Sequence, residues 1–245
     1  MALATLALHL SLDLPLSVET VEAPPTVLVA SNDAFELATL SASLRLNSVN
    51  VVGEANSSAI ADNLFRFLTP SVFLVDLQFS GIDALALIVK FRKINPGLGV
   101  VLMTACPDLR LMGLTNDQIP VGAQIVLKKT VADLSVVSFA ISHSLTAATE
   151  KSKSSWVDNH GSLHESAFET ALSEFTNIQM DTLRLLAKGL SNAEIAKVRF
   201  VSEKSVEQIV ARIAQNFHIE QDHTHNLRVL ITGEYFKWLG ALNRQ

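Results

Sequence analysis

Between residues 26 and 147, short runs of apolar residues alternate with longer segments in which apolar residues recur every three or four positions. The short runs predict buried strands and the longer segments predict amphipathic helices. Strands are expected at 26–30, 50–54, 72–75, 99–103 and 124–127, and helices at 33–45, 57–67, 85–91 and 131–145, with an irregular stretch before the fifth strand. This alternation predicts an α/β doubly wound sheet of five parallel strands.

Residues 1–25 form an N-terminal extension with a different pattern. Leucine occupies every second position from Leu6 to Leu16, which is the period of a strand with one apolar face. The extra strand could lie at the edge of its own sheet, or bind a partner or exchange between chains, and a disordered start is a third alternative. A signal peptide is excluded because the start is not basic and because Asp13 and Pro15 interrupt the apolar residues.

The composition narrows the class of protein. The 245 residues are 49% hydrophobic and 18% charged, which is too apolar for disorder and enough for two domains. No run of 18 apolar residues is present, so we expect no membrane span. The single cysteine, Cys106, excludes a disulfide framework and a cysteine-based zinc site, and a cytoplasmic location is expected.

Charge is distributed unevenly between the two parts of the chain. The first 150 residues hold 13 acidic and 8 basic residues, whereas residues 167–245 hold 9 of each, so the net charge of −5 comes mainly from the first part. The balanced charge of the second part therefore allows it to bind an acidic partner.

Polar residues stand where the predicted strands end, and ligands of doubly wound sheets bind at that edge. They are Ser31, Asn32, Asp76, Thr104, Lys128 and Lys129. Ser31 or Asn32 is also placed to cap the first helix. Of the two adjacent lysines only one can point to the site.

Residues 26–147 resemble the receiver domain of two-component response regulators, a flavodoxin-like fold. The resemblance implies that Asp76 matches the aspartate that accepts a phosphoryl group, and that Thr104 and Lys129 match the residues that respond to it. Lys129 is selected by its distance along the chain from Gly122-Ala123. A carboxylate nucleophile, a magnesium ion and a cation for the product oxygen are what this chemistry needs.

The resemblance fails at the metal site, where the family has an acidic pair and this chain has Ser31 and Asn32. Because Mg²⁺ favours carboxylate ligands, we expect weak affinity, no metal or other cofactor, and no cognate histidine kinase. Asp33 follows directly but is expected to point elsewhere. We interpret Asp76 as a structural aspartate held by Lys129, with a phosphoacceptor as the alternative.

The helix predicted at 131–145 carries apolar residues on two opposite sides, which indicates burial on both. One side contains Val136, Phe139 and His143. We expect a dimer or interdomain contact there, and so a homodimer. Cover by a neighbouring loop or by the N-terminal strand is the alternative.

After residue 147 the chain loses its periodicity. Residues 148–170 are rich in Ser, Thr, Asn and Gly, which predicts a flexible linker with Trp156 as a possible anchor. Residues 171–245 then predict an all-α domain of four helices. Thr176 and Gln179 begin the first with a capping box, and Ser191 and Ser202 cap the second and third.

The segments 183–196 and 201–206 closely resemble the LuxR/GerE-type helix-turn-helix, and a receiver followed by this module is the NarL-type response regulator architecture. The resemblance implies binding of double-stranded DNA with the third helix in the major groove. Candidate contacts are Lys188, Asn192, Lys197, Arg199, Ser202, Lys204, Ser205, Glu207, Gln208 and Arg212. Solvated surface charge is the alternative for the cations, and Glu207, Ile209 and Asn216 replace basic residues usual in the family.

These features predict a cytoplasmic, homodimeric DNA-binding transcription regulator of the response-regulator type that does not depend on phosphorylation. A protein-interaction regulator that does not bind DNA is the alternative. An enzyme is not expected, since no nucleophile with an oriented base, cofactor loop or metal cluster is recognisable.

Overall fold

A computed structural model describes residues 23–78, 84–130, 134–157, 163–164, 170–220 and 224–240. The alternating leucines of the N-terminal extension, and the extra strand predicted from them, lie outside these residues. None of the described helices is long and apolar enough to cross a membrane.

A parallel sheet with helices on both faces forms the first domain. The five predicted strands are present as β1 (Thr26–Ala30), β2 (Asn50–Ala55), β3 (Val72–Asp76), β4 (Gly99–Thr104) and β5 (Gln124–Leu127), in the spatial order β2-β1-β3-β4-β5. The helices are α1 (Ala34–Leu46), α2 (Ser58–Leu68), α3 (Ala84–Ile94) and α4 (Ser135–Glu150). Apolar residues of α1 and α4 pack on one face, and those of α2 and α3 on the other.

The sheet continues past β5, so it has more strands than the five that the sequence predicts. β6 (Ser155–Val157) pairs in parallel with β5, and β7 (Leu163–His164) pairs antiparallel with β6. These strands lie in the segment 148–170, so the prediction of a flexible linker is wrong for residues 155–157 and 163–164. The physical reason is burial of apolar area: Trp156 enters the core on one face of the sheet and Val157 the core on the other.

The start of α1 corrects a second expectation. Asp33, rather than Ser31 or Asn32, is the capping residue. Its Oδ1 accepts hydrogen bonds from the backbone amides of Phe35 and Glu36, both at 3.0 Å. The helix therefore begins at Ala34, one residue later than predicted, because Asp33 stands just before it as the cap, two and three residues ahead of the amides that it binds.

The second domain is all-α. The four predicted helices are α6 (Asn177–Ala187), α7 (Asn192–Arg199), α8 (Glu203–Asn216) and α9 (Leu227–Trp238), and the short α5 (Thr170–Ser173) precedes them. The capping box at the start of α6 is confirmed, with the Thr176 amide donating to Gln179 Oε1 at 2.8 Å and the Gln179 amide donating to Thr176 Oγ1 at 3.3 Å.

The two domains meet at the irregular stretch between β4 and β5. This stretch contains a short 3₁₀ helix, Leu109–Met112, that packs against α6. Cys106 and Leu111 are both fully buried among the core residues of the second domain. A segment that belongs to the first domain by sequence therefore completes the core of the second.

Candidate functional site

Asp76, at the end of β3, has a buried carboxylate with a partner on each oxygen. The residue is 5% exposed. Its Oδ1 accepts a hydrogen bond from the backbone amide of Gln78 at 2.9 Å, and its Oδ2 accepts one from Nζ of Lys128 at 2.8 Å. The two partners cover both oxygens of the carboxylate, so a phosphoryl donor would have to displace Lys128 or the Gln78 amide.

The lysine that binds Asp76 is Lys128, and the assignment of this role to Lys129 is wrong. Leu127, the last residue of β5, contributes to the core on the α2 and α3 face. Lys128 begins the 3₁₀ turn that follows, and its side chain reaches Glu36 of α1, on the same face as Asp76, whereas Lys129 is exposed. Continuing the side-chain alternation of β5 by one residue would have selected Lys128 from the sequence.

Glu36, which sequence reasoning missed, supplies a second carboxylate. Its Oε1 lies 2.6 Å from Nζ of Lys128, so one ammonium group bridges Glu36 and Asp76. We call Glu36, Asp76 and Lys128 the bridged triad. The ammonium group of Lys128 thus offsets the negative charge of the two carboxylates, which a bound metal ion would otherwise offset.

The residues of this site do not fit a magnesium ion. Ser31 is buried and Asn32 exposed, and neither carries a charge. Asp33 uses one carboxylate oxygen to cap α1, and the two carboxylates of the bridged triad already bind Lys128. Within the described ranges, no three His, Cys, Asp or Glu side chains are grouped to hold a metal.

Thr104 ends β4 with its hydroxyl used locally. The Oγ1 atom accepts a hydrogen bond from the backbone amide of Cys106 at 3.0 Å and is within 3.4 Å of its carbonyl oxygen. The side chain therefore shapes the loop that enters the second domain, and its switch role stays a prediction.

Arg110 is the main polar link between the domains, and sequence reasoning missed it. Its guanidinium group binds both carboxylate oxygens of Asp108, which orients it. It then donates to the carbonyl oxygens of Leu172 at 2.9 Å and Phe175 at 2.8 Å. Tyr235 adds a bond from α9, its hydroxyl donating to the carbonyl oxygen of Leu111 at 3.0 Å.

The helix predicted to enter DNA, α8, presents a polar face to solvent. Val206, Val210 and Ile213 are buried on its inner side. Ser202 caps it, its Oγ accepting from the Ser205 amide at 3.1 Å. The predicted contact residues that are exposed on or beside this face are Lys188, Lys197, Ser202, Lys204, Glu207, Gln208 and Arg212.

Two other predicted contacts are engaged inside the domain. Arg199 donates from Nη1 to the carbonyl oxygen of Ile178 at 2.9 Å and to the hydroxyl of Thr182, which joins α7 to α6. Asn192 accepts a hydrogen bond from Arg228 of α9 through Oδ1. Both residues position α7 in this structure rather than presenting free polar groups to DNA.

Lys197 is exposed but paired on its own helix. Its Nζ lies 2.7 Å from Oε1 of Glu194, and this hydrogen bond raises the pKa of the Lys197 ammonium group. Part of its charge is thereby offset before any DNA approaches.

The apolar side of α4 is only partly at the surface. Val136 is 2% exposed and belongs to the core beneath the sheet, so its assignment to a dimer interface is wrong. It faces inward because α4 is packed against both β4 and β5. Phe139 is half-buried, and its ring lies tilted against the exposed ring of His143, with 4.1 Å between ring centroids.

Comparison with known proteins agrees with both domains. Residues 173–225 match the model of the luxR family of bacterial regulatory proteins. The chain is 25% identical over 179 residues to the response regulator protein VraR of Staphylococcus saprophyticus, covering 73% of this chain and 82% of VraR.

Solved structures of response regulators have the same fold. The two-component response regulator RcsB, in a complex with DNA, is 21% identical with a TM-score of 0.50, covering 89% of this chain and 100% of that one. RcsB from Salmonella enterica serovar Typhimurium, bound to the promoter P1flhDC in the presence of phosphomimetic BeF₃⁻, is 20% identical with a TM-score of 0.50, covering 87% and 98%.

The receiver-like sheet, the strand-end aspartate and the helix-turn-helix therefore have one interpretation. Residues 173–225 match the luxR family, and the chain as a whole is similar in sequence and in fold to two-component response regulators.

Proposed function

We propose that this protein regulates transcription by binding double-stranded DNA as a homodimer, and that its receiver-like domain works without phosphorylation. The observation that carries the second part is the bridged triad. Lys128 binds both carboxylates at 2.6 and 2.8 Å, so the site contains its own cation. As a regulator of bacterial promoters it would act in the cytoplasm.

Phosphoryl transfer to Asp76 would need several costly changes. A magnesium ion would have to bind beside an ammonium group, with Ser31 and Asn32 in place of carboxylates. The nucleophilic oxygen of Asp76 would also lose a hydrogen bond to Lys128 or to Gln78. These costs favour a receiver-like domain that is held in one state by its own side chains.

The polar face of α8 supports the DNA-binding part. A recognition helix lies in the major groove, where Gln can read adenine, Lys or Arg can bind guanine or phosphate, and Glu can accept from cytosine. Gln208, Lys204, Arg212 and Glu207 are all exposed on α8. Ser202 and Ser205, at its beginning, share a hydrogen bond of 2.7 Å between their hydroxyl groups, and the hydroxyl hydrogen that this bond does not use would donate to a phosphate oxygen.

A homodimer would supply two copies of this face. Helix-turn-helix dimers bind half-sites about one helical turn apart. Binding at two half-sites would compensate for the low affinity of a single recognition helix that has few basic residues. The similar RcsB has a structure of two dimers bound to two parallel DNAs. For this chain we assign part of the contact to Phe139 and His143, the members of the predicted stripe that reach the surface.

Salt-dependent DNA binding tests the proposal. The wild-type chain and a duplex selected by it from a random-sequence pool should give an affinity that falls as salt rises, because phosphate contacts release counterions. Lys204→Ala should weaken binding and reduce the slope by about one. Lys93→Ala, which removes an exposed lysine of α3, is the matched control.

The alternative, a protein-interaction regulator, draws support from the acidic residues of α8. Glu203 and Glu207 are both exposed near the start of the helix, where they repel phosphate. A wild-type chain that binds no duplex at 50 mM salt would favour this alternative over DNA binding.

A further inference from the structure

The turn between α7 and α8 exposes an aromatic side chain in an unfavourable backbone conformation. Phe200 is 95% exposed and has a φ of +54°. The left-handed region is costly for a bulky residue and is normally occupied by Gly, Asn or Asp. Val198 and Val201 beside it are 53% and 41% exposed. We call these three residues the turn patch.

The fold needs the shape of this turn but not the phenyl ring. The turn is closed by backbone hydrogen bonds from the Phe200 amide to the Lys197 carbonyl at 3.3 Å and from the Val201 amide to the Ala196 carbonyl at 3.0 Å. Asn or Gly could make both bonds with less strain. The ring is also nearly uncovered, so its burial does not offset the strain.

The turn patch lies directly before α8, whose first residue is Glu203. In a helix-turn-helix the second helix enters the major groove by its N-terminal end while the first crosses the backbone. The connecting turn then stands at the edge of that groove. Apolar side chains there contact the methyl group of thymine, which projects into the major groove.

We propose that Phe200, with Val198 and Val201, is an apolar DNA contact that selects thymine at the edge of the groove read by α8. The assignment rests on the proposed function and adds a specificity element to it. It also explains the strained turn, because the ring is placed for a partner that is bound only in the complex.

DNA fits the turn patch better than a protein does. A stable protein contact buries about 800 Å² on each partner, far more than three side chains can supply. The patch directly precedes α8, and Lys204 stands three residues after Val201, next to Glu203. The proposed DNA-binding surface therefore begins where the patch ends, and DNA combines phosphate groups for Lys204 with small apolar groups for the patch.

Phe200→Asn tests the proposal without endangering the fold, since Asn tolerates the left-handed conformation. We expect an unchanged or higher melting temperature and a dissociation constant raised about tenfold for the duplex selected by the wild-type chain. The slope of affinity against salt should stay the same, because an apolar contact releases no counterions. Phe67→Asn, which changes an 85% exposed phenylalanine on α2, should have no effect on binding.

Replacing single thymines of the duplex by uracil removes one methyl group at a time. The wild-type chain should lose affinity at one or two positions in each half-site, and Phe200→Asn should be insensitive at those positions. Equal affinity and equal sensitivity of the two proteins would overturn the proposal, as would a variant that binds DNA normally but fails to activate transcription. A wild-type chain that binds no duplex would instead remove the proposed function itself.

Discussion

The side-chain amide of Gln78 donates a hydrogen bond to the carbonyl oxygen of Leu239 at 2.7 Å. The backbone amide of the same glutamine donates to Asp76 at 2.9 Å. One residue therefore connects the carboxylate at the centre of the receiver-like site to the residue that caps the last helix of the second domain.

Arg110→Ala should loosen the docking of the two domains. The variant loses charge-assisted bonds to Leu172 and Phe175, each worth about 1.5–3 kcal/mol in favourable cases. We expect a larger radius of gyration in small-angle scattering and separate unfolding transitions of the domains.

Arg92→Ala is the matched control for domain docking. Arg92 donates to the carbonyl oxygens of Leu98 and Val121, which are both within the first domain. It should lower the stability of that domain and leave the radius of gyration unchanged. An Arg110→Ala protein as compact as the wild type would show that apolar contacts alone hold the domains together.

The bridged triad predicts resistance to phosphorylation. Incubation with a small phosphodonor and millimolar Mg²⁺ should leave the intact mass unchanged. Asp76→Ala should then keep DNA affinity within about threefold, although losing a partner of Lys128 should lower the free energy of unfolding by about 1–3 kcal/mol. A stable adduct on Asp76, or a tenfold loss of affinity (about 1.4 kcal/mol) in a folded variant, would indicate a working switch.

Cys106 should report on domain docking through its reactivity. Burial raises the pKa of its thiol to about 12, so at pH 8 only about one thiol in ten thousand is ionised. Alkylation of the wild-type chain should be slow and should accelerate in Arg110→Ala, where the interface opens. Fast labelling of the wild type would mean that this interface opens readily.

The same thiol should make stability depend on pH in the alkaline range. An unfolded cysteine ionises near pH 8.5, and the folded one near 12, so the free energy of unfolding is unaffected below about pH 8.5 and falls as pH rises toward 12. Burial also raises the pKa of Tyr235, which acts in the same direction. Comparison of the wild type with Cys106→Ala isolates the cysteine contribution.

The sequence predicted strands β1 to β5 and the four helices α6 to α9 because apolar period and capping residues are local signals. It did not predict β6, since Trp156 and Val157 are two apolar residues in a polar segment and gain their burial only from β5. The choice between Lys128 and Lys129 failed for a related reason. The distance along the chain from Gly122 selects Lys129, as the family pattern implies. The observed contact depends instead on which face of the sheet the residue after β5 turns toward.

Gly99→Ala should destabilise the first domain. A Cβ atom at this position would lie 2.4 Å from Oγ of Ser144 and 3.1 Å from Cγ2 of Val72, so α4 would have to move away from the sheet. Such overpacking costs about 1–3 kcal/mol, measurable by urea unfolding. Gly97→Ala is the control, since its nearest neighbour would be Oδ1 of Asn95 at 3.6 Å, and equal loss in both variants would contradict the argument.

Replacement of Phe139 by Asp should separate the proposed homodimer without unfolding the chain. The ring is half-buried against His143, and a carboxylate there can reach solvent in the monomer but would be desolvated in a dimer contact. We expect a monomer in sedimentation at tens of micromolar and weaker DNA binding.

Val136→Asp should behave differently, because that side chain is 2% exposed and a charge there would enter the core of its own domain. Loss of folding is expected rather than a folded monomer. Phe67→Asp, on the exposed surface of α2, should change neither assembly nor folding. If the wild-type chain sediments as a monomer and still binds DNA tightly, Phe139 and His143 pack only within their own chain and the proposed homodimer is wrong.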